Sequence, residues 1–504
     1  MRSPITPRKA NTPLSDLHRL HTFRDLQLLP RRPPVASGED PSPNAWERDQ
    51  HSASVPLNTT KSVHEGFVME TEKKWLWKAT MAEMFFDASN RFQTFMVSYQ
   101  LTVATAAPLL EDQVTSALSH LYRKTPNLRA CFDQRDGTTW LREMAQEKID
   151  FEMLPETASV AETLQKLRNY HYDSNAGPLW CAKLRPGPPS EGAANEMQGF
   201  PHLYTFFLGF HHGITDGTST MKICGFLVQL LNDVISGKTI DDVEQFGVFI
   251  SGEVTHKIVN KRVAAMRADP EILQKMIGES EAHKSNCSIL NLTYKDARED
   301  ECNTKYITRD LDVATTSAFF QKCRAESVTI NTAFAALANA AMVDLLALGG
   351  LEQESYKIVA CAVPRHIGDK FWDYARSMHK EIQSELKAEA VVREEALKTY
   401  FMPENANFDE FFQSPQSPND NTCDFCVSNM GDVTKLVTEG GDHVQVTHVL
   451  RSVSVHGVPN NWSHLIHTFR GRLIHVLDYN TGRVNTQMAQ TFCERIFHHL
   501  HNVL

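Results

Sequence analysis

Apolar residues fall along this chain in two rhythms. Residues 203–210 form an apolar run of strand length, a pattern that predicts a strand buried on both faces. Directly after it, Ile223, Leu227, Leu230, Leu231 and Val234 recur at helical spacing and predict a helix. Thr218 or Ser219 is its expected cap, and Gly237 with Lys238 its stop. Upstream, Met96, Val97, Tyr99, Leu101 and Val103 give 95–105 the side chains of a strand. Val114, Leu118 and Leu121 make one stripe of a helix over 111–123, which Pro126 must stop. The chain is expected to return as a strand over 128–132.

A charged helical stretch over 255–284 reads as a crossover. Beyond it the mixture repeats: strands over 306–311, 358–363 and 425–428, helices over 315–326 and 331–348, and a last helix over 486–500. Two late strands, 465–469 and 473–479, are expected to form a hairpin turning at 470–472. The two halves hold similar elements without visible sequence similarity, and no short period marks a solenoid. The division that follows is an extension over 1–70, a first α/β subdomain over 71–255, a crossover over 256–290 and a second α/β subdomain over 291–504.

Composition changes this picture mainly at the start. The first 60 residues carry nine of the 23 prolines, including Arg-Arg-Pro-Pro at 31–34, and such a stretch does not build a core. The remainder is ordinary globular sequence, 41% hydrophobic and 22% charged over 504 residues. A net charge of −10 disfavours nucleic acid and anionic membranes as partners. Of the ten cysteines, several lie in apolar runs, such as Cys131, Cys181, Cys224 and Cys361, as core thiols of a reduced, cytoplasmic protein do. Cys423 and Cys426 lack the second pair that a zinc site needs. The start has no apolar signal region. The most apolar long stretch, 330–350, contains Asn331, Asn339 and Asp344, so it reads as a buried helix and not a membrane span.

The chemistry concentrates in His211-His212-Gly213-Ile214-Thr215-Asp216-Gly217, between the apolar strand and the amphipathic helix. Adjacent residues leaving a strand point to opposite sides, so His211 and His212 are not expected both to face one cavity. A histidine titrating near pH 6.5 is suited to take a proton at neutral pH. Asp216 stands at the helix start, where a carboxylate is favoured, and the two glycines permit close approach of another group.

This segment resembles the HHxxxDG motif of the chloramphenicol-acetyltransferase-like superfamily. Four other segments are similar to that family's in the same order: residues 126–132 (PNLRACF), 177–180 (GPLW), 363–368 (VPRHIG) and 427–431 (VSNMG). The condensation-domain, alcohol-acetyltransferase and polyketide-associated branch is the nearest. The plant-type DFGWG signature is absent. The resemblance implies two similar α/β sandwich subdomains with a tunnel between them, over roughly residues 75–504. It implies His212 as general base, and Asp216 as a structural residue paired with an arginine, here Arg365. Gly217 would support the turn. His211, Ser428 and Asn429 would contact the tunnel or the thioester carbonyl.

The activity so implied moves an acyl group from an acyl-CoA co-substrate to an alcohol or amine, without a covalent acyl-enzyme, a metal or a permanent cofactor. The internal two-part architecture suggests a monomer. Two alternatives stand beside it: a condensation-type enzyme fed by carrier-protein thioesters, and a non-catalytic binding protein on the same fold. For the individual residues, Asp216 could serve only as a helix cap, and Asn429 could belong to an Asn-x-Gly turn. Ser-Gly-Lys-Thr at 236–239 lacks the first glycine of a phosphate loop, whose place is taken by Asn232.

Overall fold

The computed structural model describes residues 73–187, 198–247, 253–284, 290, 293, 294, 298–351, 370–402, 407–413, 424–458 and 462–504. The strand expected over 358–363, together with Arg365, Cys361 and Cys423, lies outside these residues. In the first half the order is β1 (Trp75–Lys78), α1 (Met81–Arg91), β2 (Val97–Thr105), α2 (Glu111–Lys124), β3 (Ala130–Arg135), β4 (Thr138–Glu143), β5 (Phe151–Met153), α3 (Val160–Arg168), β6 (Trp180–Pro186), β7 (His202–Phe210) and α4 (Gly217–Ile235). Helices α5 (Glu253–Ala268) and α6 (Pro270–Lys284) come next, in the stretch expected to be helical. The second half follows with β8 (Thr304–Asp310), α7 (Val313–Ala325), α8 (Ile330–Leu348), α9 (Phe371–Lys387), α10 (Ala390–Phe401), α11 (Phe408–Gln413), β9 (Phe425–Asp432), α12 (Thr434–Val437), β10 (Val444–Val453), β11 (Trp462–Phe469), β12 (Arg472–Asn480) and α13 (Thr486–Asn502).

The described strands make three sheets, ordered β1-β4-β3, β10-β2-β7-β6-β5 and β8-β12-β11-β9. Helices packed on the second and third sheets give two α/β layers, each with its own hydrophobic core. In the first half, β7 is the central strand, paired antiparallel with β2 on one side and β6 on the other. Its residues from Tyr204 onward are buried, so the chain leaves it from the middle of the core. Next, α4 buries Ile223, Leu227, Leu230 and Leu231, each contributing about 1.5–3 kcal/mol.

Most elements lie where the periodicity places them. Three details differ. The stretch after α2 begins as a 3-10 turn, Pro126–Arg129, because Pro126 presets a turn dihedral, and the strand starts only at Ala130. The cap of α4 is Asp216, two or three residues earlier than Thr218 or Ser219, with Gly217 already helical. Strand β10 was not expected at all. It comes from the second half of the chain, yet it forms the edge of the first half's sheet, with Val444 opposite Thr105 and Val453 opposite Val97. The hairpin between β11 and β12 turns at Arg470 and Gly471, both at positive φ (48° and 72°). One described helix, α8, is long and apolar enough to cross a membrane by length and composition; 78% of that window is buried inside the protein.

Candidate functional site

The seven residues from His211 to Gly217 form the turn between β7 and α4, and neighbouring segments hold it at several points. The His211 N–H donates to the Leu179 carbonyl at 2.9 Å, and Asn127 Nδ2 donates to the Ile214 carbonyl at 2.8 Å. Ile214 N–H donates back to the His211 carbonyl at 3.2 Å, closing the turn. Gly213 is required by closeness: a Cβ there would meet Phe132 Cζ at 2.8 Å and the His211 ring at 3.0 Å. These contacts explain two of the segments that resembled the family, since Asn127 and Leu179 lie within them.

The two histidines differ in burial and in which ring nitrogen carries the proton. His211 is fully buried, 5.3 Å between ring centroids from Phe132 and 6.1 Å from Tyr172. Its Nδ1 accepts the Gly213 N–H at 3.0 Å, so its proton sits on Nε2, 3.8 Å from Asp87 Oδ1. Burial pushes its pKa down to about 4, with the Asp87 carboxylate opposing. His212 is half-buried. Its Nδ1 lies 3.0 Å from the Thr215 carbonyl oxygen, which can only accept. The ring hydrogen is therefore on Nδ1, and the lone pair is on Nε2. One face of the ring is stacked on Phe86 of α1, with centroids 4.1 Å apart and planes 12° apart. Desolvation lowers the His212 pKa below the ordinary histidine value, against smaller opposing effects from the Thr215 carbonyl and Asp216.

Asp216 is exposed, and among the described residues its carboxylate makes one hydrogen bond, accepting the Ser219 N–H at 2.7 Å. It is an N-cap of the ordinary kind. The expected partner, Arg365, lies outside the described residues. Gly217 is crowded from the second half of the chain: a Cβ there would lie 3.2 Å from Met430 Sδ and 3.9 Å from Arg451 Nη1. Its carbonyl accepts the Tyr99 hydroxyl at 3.2 Å.

Ser428 and Asn429 lie on β9, half-buried, and Met430 shares the Ser428 side of the strand. The two residues do different things. Asn429 Oδ1 accepts the Gly431 N–H at 2.8 Å, with Gly431 at φ 68°, so its side chain closes the local Asn-x-Gly turn. Ser428 Oγ instead accepts from Arg451 at 3.2 Å. Sequence reasoning missed both Arg451 and Phe86. The broken alternation of 444–453 could at most have marked the strand that carries Arg451, and Phe86 had only its place on an amphipathic helix.

Among the described residues no three His, Cys, Asp or Glu side chains come together as a metal site. His464 and His475 form a buried pair, Nδ1 to Nε2 at 3.0 Å, in the core of the second half. None of the seven described cysteines is in a disulfide; six are buried and Cys302 is exposed.

No protein-family model matches the chain, and no curated protein sequence does. Solved structures do match. A trichothecene 15-O-acetyltransferase from Fusarium sporotrichioides superposes with a TM-score of 0.62 at 10% identity, covering 86% of this chain and 98% of its own. An epimerization domain from the third module of tyrocidine synthetase B gives 0.55 at 12% identity, with 86% and 98% covered. Polyketide synthase associated protein 5 from Mycobacterium tuberculosis gives 0.53 at 13%, with 85% and 98% covered. At such identities the likeness is one of fold.

Proposed function

With the two-subdomain α/β fold of the chloramphenicol-acetyltransferase-like acyltransferases and condensation domains as the frame, we propose that this chain transfers an acyl group from an acyl-CoA thioester to an alcohol or amine. The observation that carries this reading is the state of His212. Its Nδ1–H is committed to the Thr215 carbonyl, its Nε2 lone pair has no partner among the described residues, and desolvation of its ring favours the neutral form.

The chemistry that follows needs no nucleophile from the protein. The acceptor's O–H or N–H proton passes to His212 Nε2 while the heteroatom's electron pair bonds to the thioester carbonyl carbon. The carbonyl oxygen then carries negative charge, which a donor beside it stabilises. Ser428 on β9 is suited to that part, whereas Asn429 is occupied by its own turn. As the carbonyl re-forms, the C–S bond breaks, and the thiolate takes the proton back from the imidazolium. His211 and Gly213 shape the turn, Asp216 caps α4, and Gly217 makes room for Met430 and Arg451.

His212→Ala should remain folded and lose turnover by about 10²–10⁴-fold, the usual contribution of a general base. The measurement is thiol release from acetyl-CoA and longer acyl-CoAs with a panel of alcohols and amines. Retained turnover in the variant would remove His212 from the chemistry. Among the solved structures of this fold is the condensation domain of a polyketide synthase, which supports a second reading with a carrier-protein thioester as donor. Faster transfer from an acylated carrier protein than from the matching acyl-CoA would select it.

A further inference from the structure

Arg451 sits on β10 where that strand, the edge of the first half's sheet, lies against β11 and β12 of the second half's. It is 6% exposed. Its Nη1–H donates to Ser428 Oγ at 3.2 Å, and Nη2 donates to the Ile466 carbonyl at 3.1 Å and also to the carbonyl of Ser428. One guanidinium thus holds both the hydroxyl and the backbone of the same serine. The same Nη1 packs 3.9 Å from where a Cβ on Gly217 would stand, so it lies between β9 and the start of α4. Among the described residues no carboxylate is within ion-pair distance. The acid it feels, Asp478, already accepts the Ser452 hydroxyl at 2.6 Å and the Val453 N–H at 2.9 Å.

A hydroxyl has one hydrogen to give and lone pairs to receive. When a guanidinium N–H occupies a lone pair, the hydroxyl hydrogen must point away from the arginine. Accepting from a cation also polarises the O–H bond and makes it a stronger donor. Ser428 is half-buried, and among the described residues its hydroxyl hydrogen has no acceptor.

We infer that Arg451 is a positioning residue for the proposed acyl transfer: it aims the Ser428 hydroxyl, as a polarised donor, at the thioester carbonyl oxygen, where negative charge grows. The inference rests on the acyl-transfer reading of His212. No bond is made or broken at either residue, and the proton stays on Ser428 Oγ throughout.

The test is a double-variant cycle on the full chain, with acetyl-CoA and the acceptor of highest turnover. Ser428→Ala should lower kcat by about 10²–10³-fold, as loss of one such donor does. Arg451→Lys keeps the charge but loses the planar fork that reaches hydroxyl and carbonyl together. It should lower kcat by about tenfold or more and leave KM for acetyl-CoA within about twofold. The decisive reading is the combination: Ser428→Ala with Arg451→Lys should be no slower than Ser428→Ala alone, because the arginine acts through the serine. A purely structural arginine would multiply the two losses, and that result overturns the inference, as does full activity in Ser428→Ala. His212→Ala, run alongside, separates the failures: if it retains turnover, the acyl-transfer reading itself is lost. Folding of each variant is checked by thermal unfolding. If Arg451→Lys does not fold, Arg451→Gln enters the same cycle; if neither folds, the arginine is a structural clamp and the inference is withdrawn.

Discussion

His211 and His212 are adjacent, yet one is sealed among Phe132, Tyr172 and Asp87, and the other is partly open beside Phe86. Their protons sit on opposite ring nitrogens, because His211 Nδ1 faces a donor and His212 Nδ1 faces an acceptor. Of the two, only His212 keeps a basic nitrogen without a partner among the described residues. Its pH behaviour follows from the sign of its shift. Burial penalises the imidazolium, so half of the ring is neutral at a pH below the ordinary value near 6.5. In a profile of kcat/KM against pH, the rate should climb and level off with an apparent pKa below 6.5. A limb centred above 7 would assign the base to another group. At this scale the motif was legible, since His212, Asp216 and Gly217 fall within seven consecutive positions. Phe86 and Arg451 were not, because nothing local marks a phenylalanine or an arginine as the neighbour of a distant ring or hydroxyl.

Helix α4 and strand β10 show how far local pattern reaches. The apolar face of α4 was plain from its spacing, but its start was read two or three residues late, since Thr218, Ser219 and Asp216 are all capable caps. The structure gives the role to Asp216, and the loss on substitution measures what else it does. Asp216→Ala should cost about 1 kcal/mol in urea unfolding, and Asp216→Asn, an equally good cap, almost nothing. A loss of about 3–5 kcal/mol in the Asn variant would instead reveal a buried ion pair with an arginine such as Arg365. β10 escaped detection for a different reason. Val444 and Val446 alternate in one phase, and Val449 and Val453 in the other, with the register slipping between Val446 and His448. A bulge inserts one residue and shifts the alternation, so neither half of the strand reads as a full period-2 run.

Across the whole molecule, the buried histidines set the response to acid. Burial holds His211 and His456 down to about 4 and His467 and His475 down to about 3. In the unfolded chain each would titrate near 6.5. Between pH 6.5 and those lower values, the unfolded state binds more protons than the native state, so stability falls as pH falls. Asp478 works in the opposite sense: burial raises it to about 6, so the native state binds its proton first, and its contribution is lost as pH rises through 6. His212 and His464 are lowered as well, so among the described residues six histidines stand against the Asp478 carboxyl and leave the net direction with the histidines. The melting temperature should be highest above pH 6.5 and should decline from there to pH 4. A flat or rising curve over that interval, followed by circular dichroism, would contradict these burial effects. The sequence by itself determined the α/β class, the central strand β7, the amphipathic α4 and the motif between them, because periodicity and turn chemistry are properties of neighbouring residues. The tertiary structure alone decided that β10 pairs with β2, that Arg451 reaches Ser428, and that Phe86 faces His212. Those contacts depend on which sheet edges and helix faces meet, a choice made by burial over the whole chain and written in no short stretch of it.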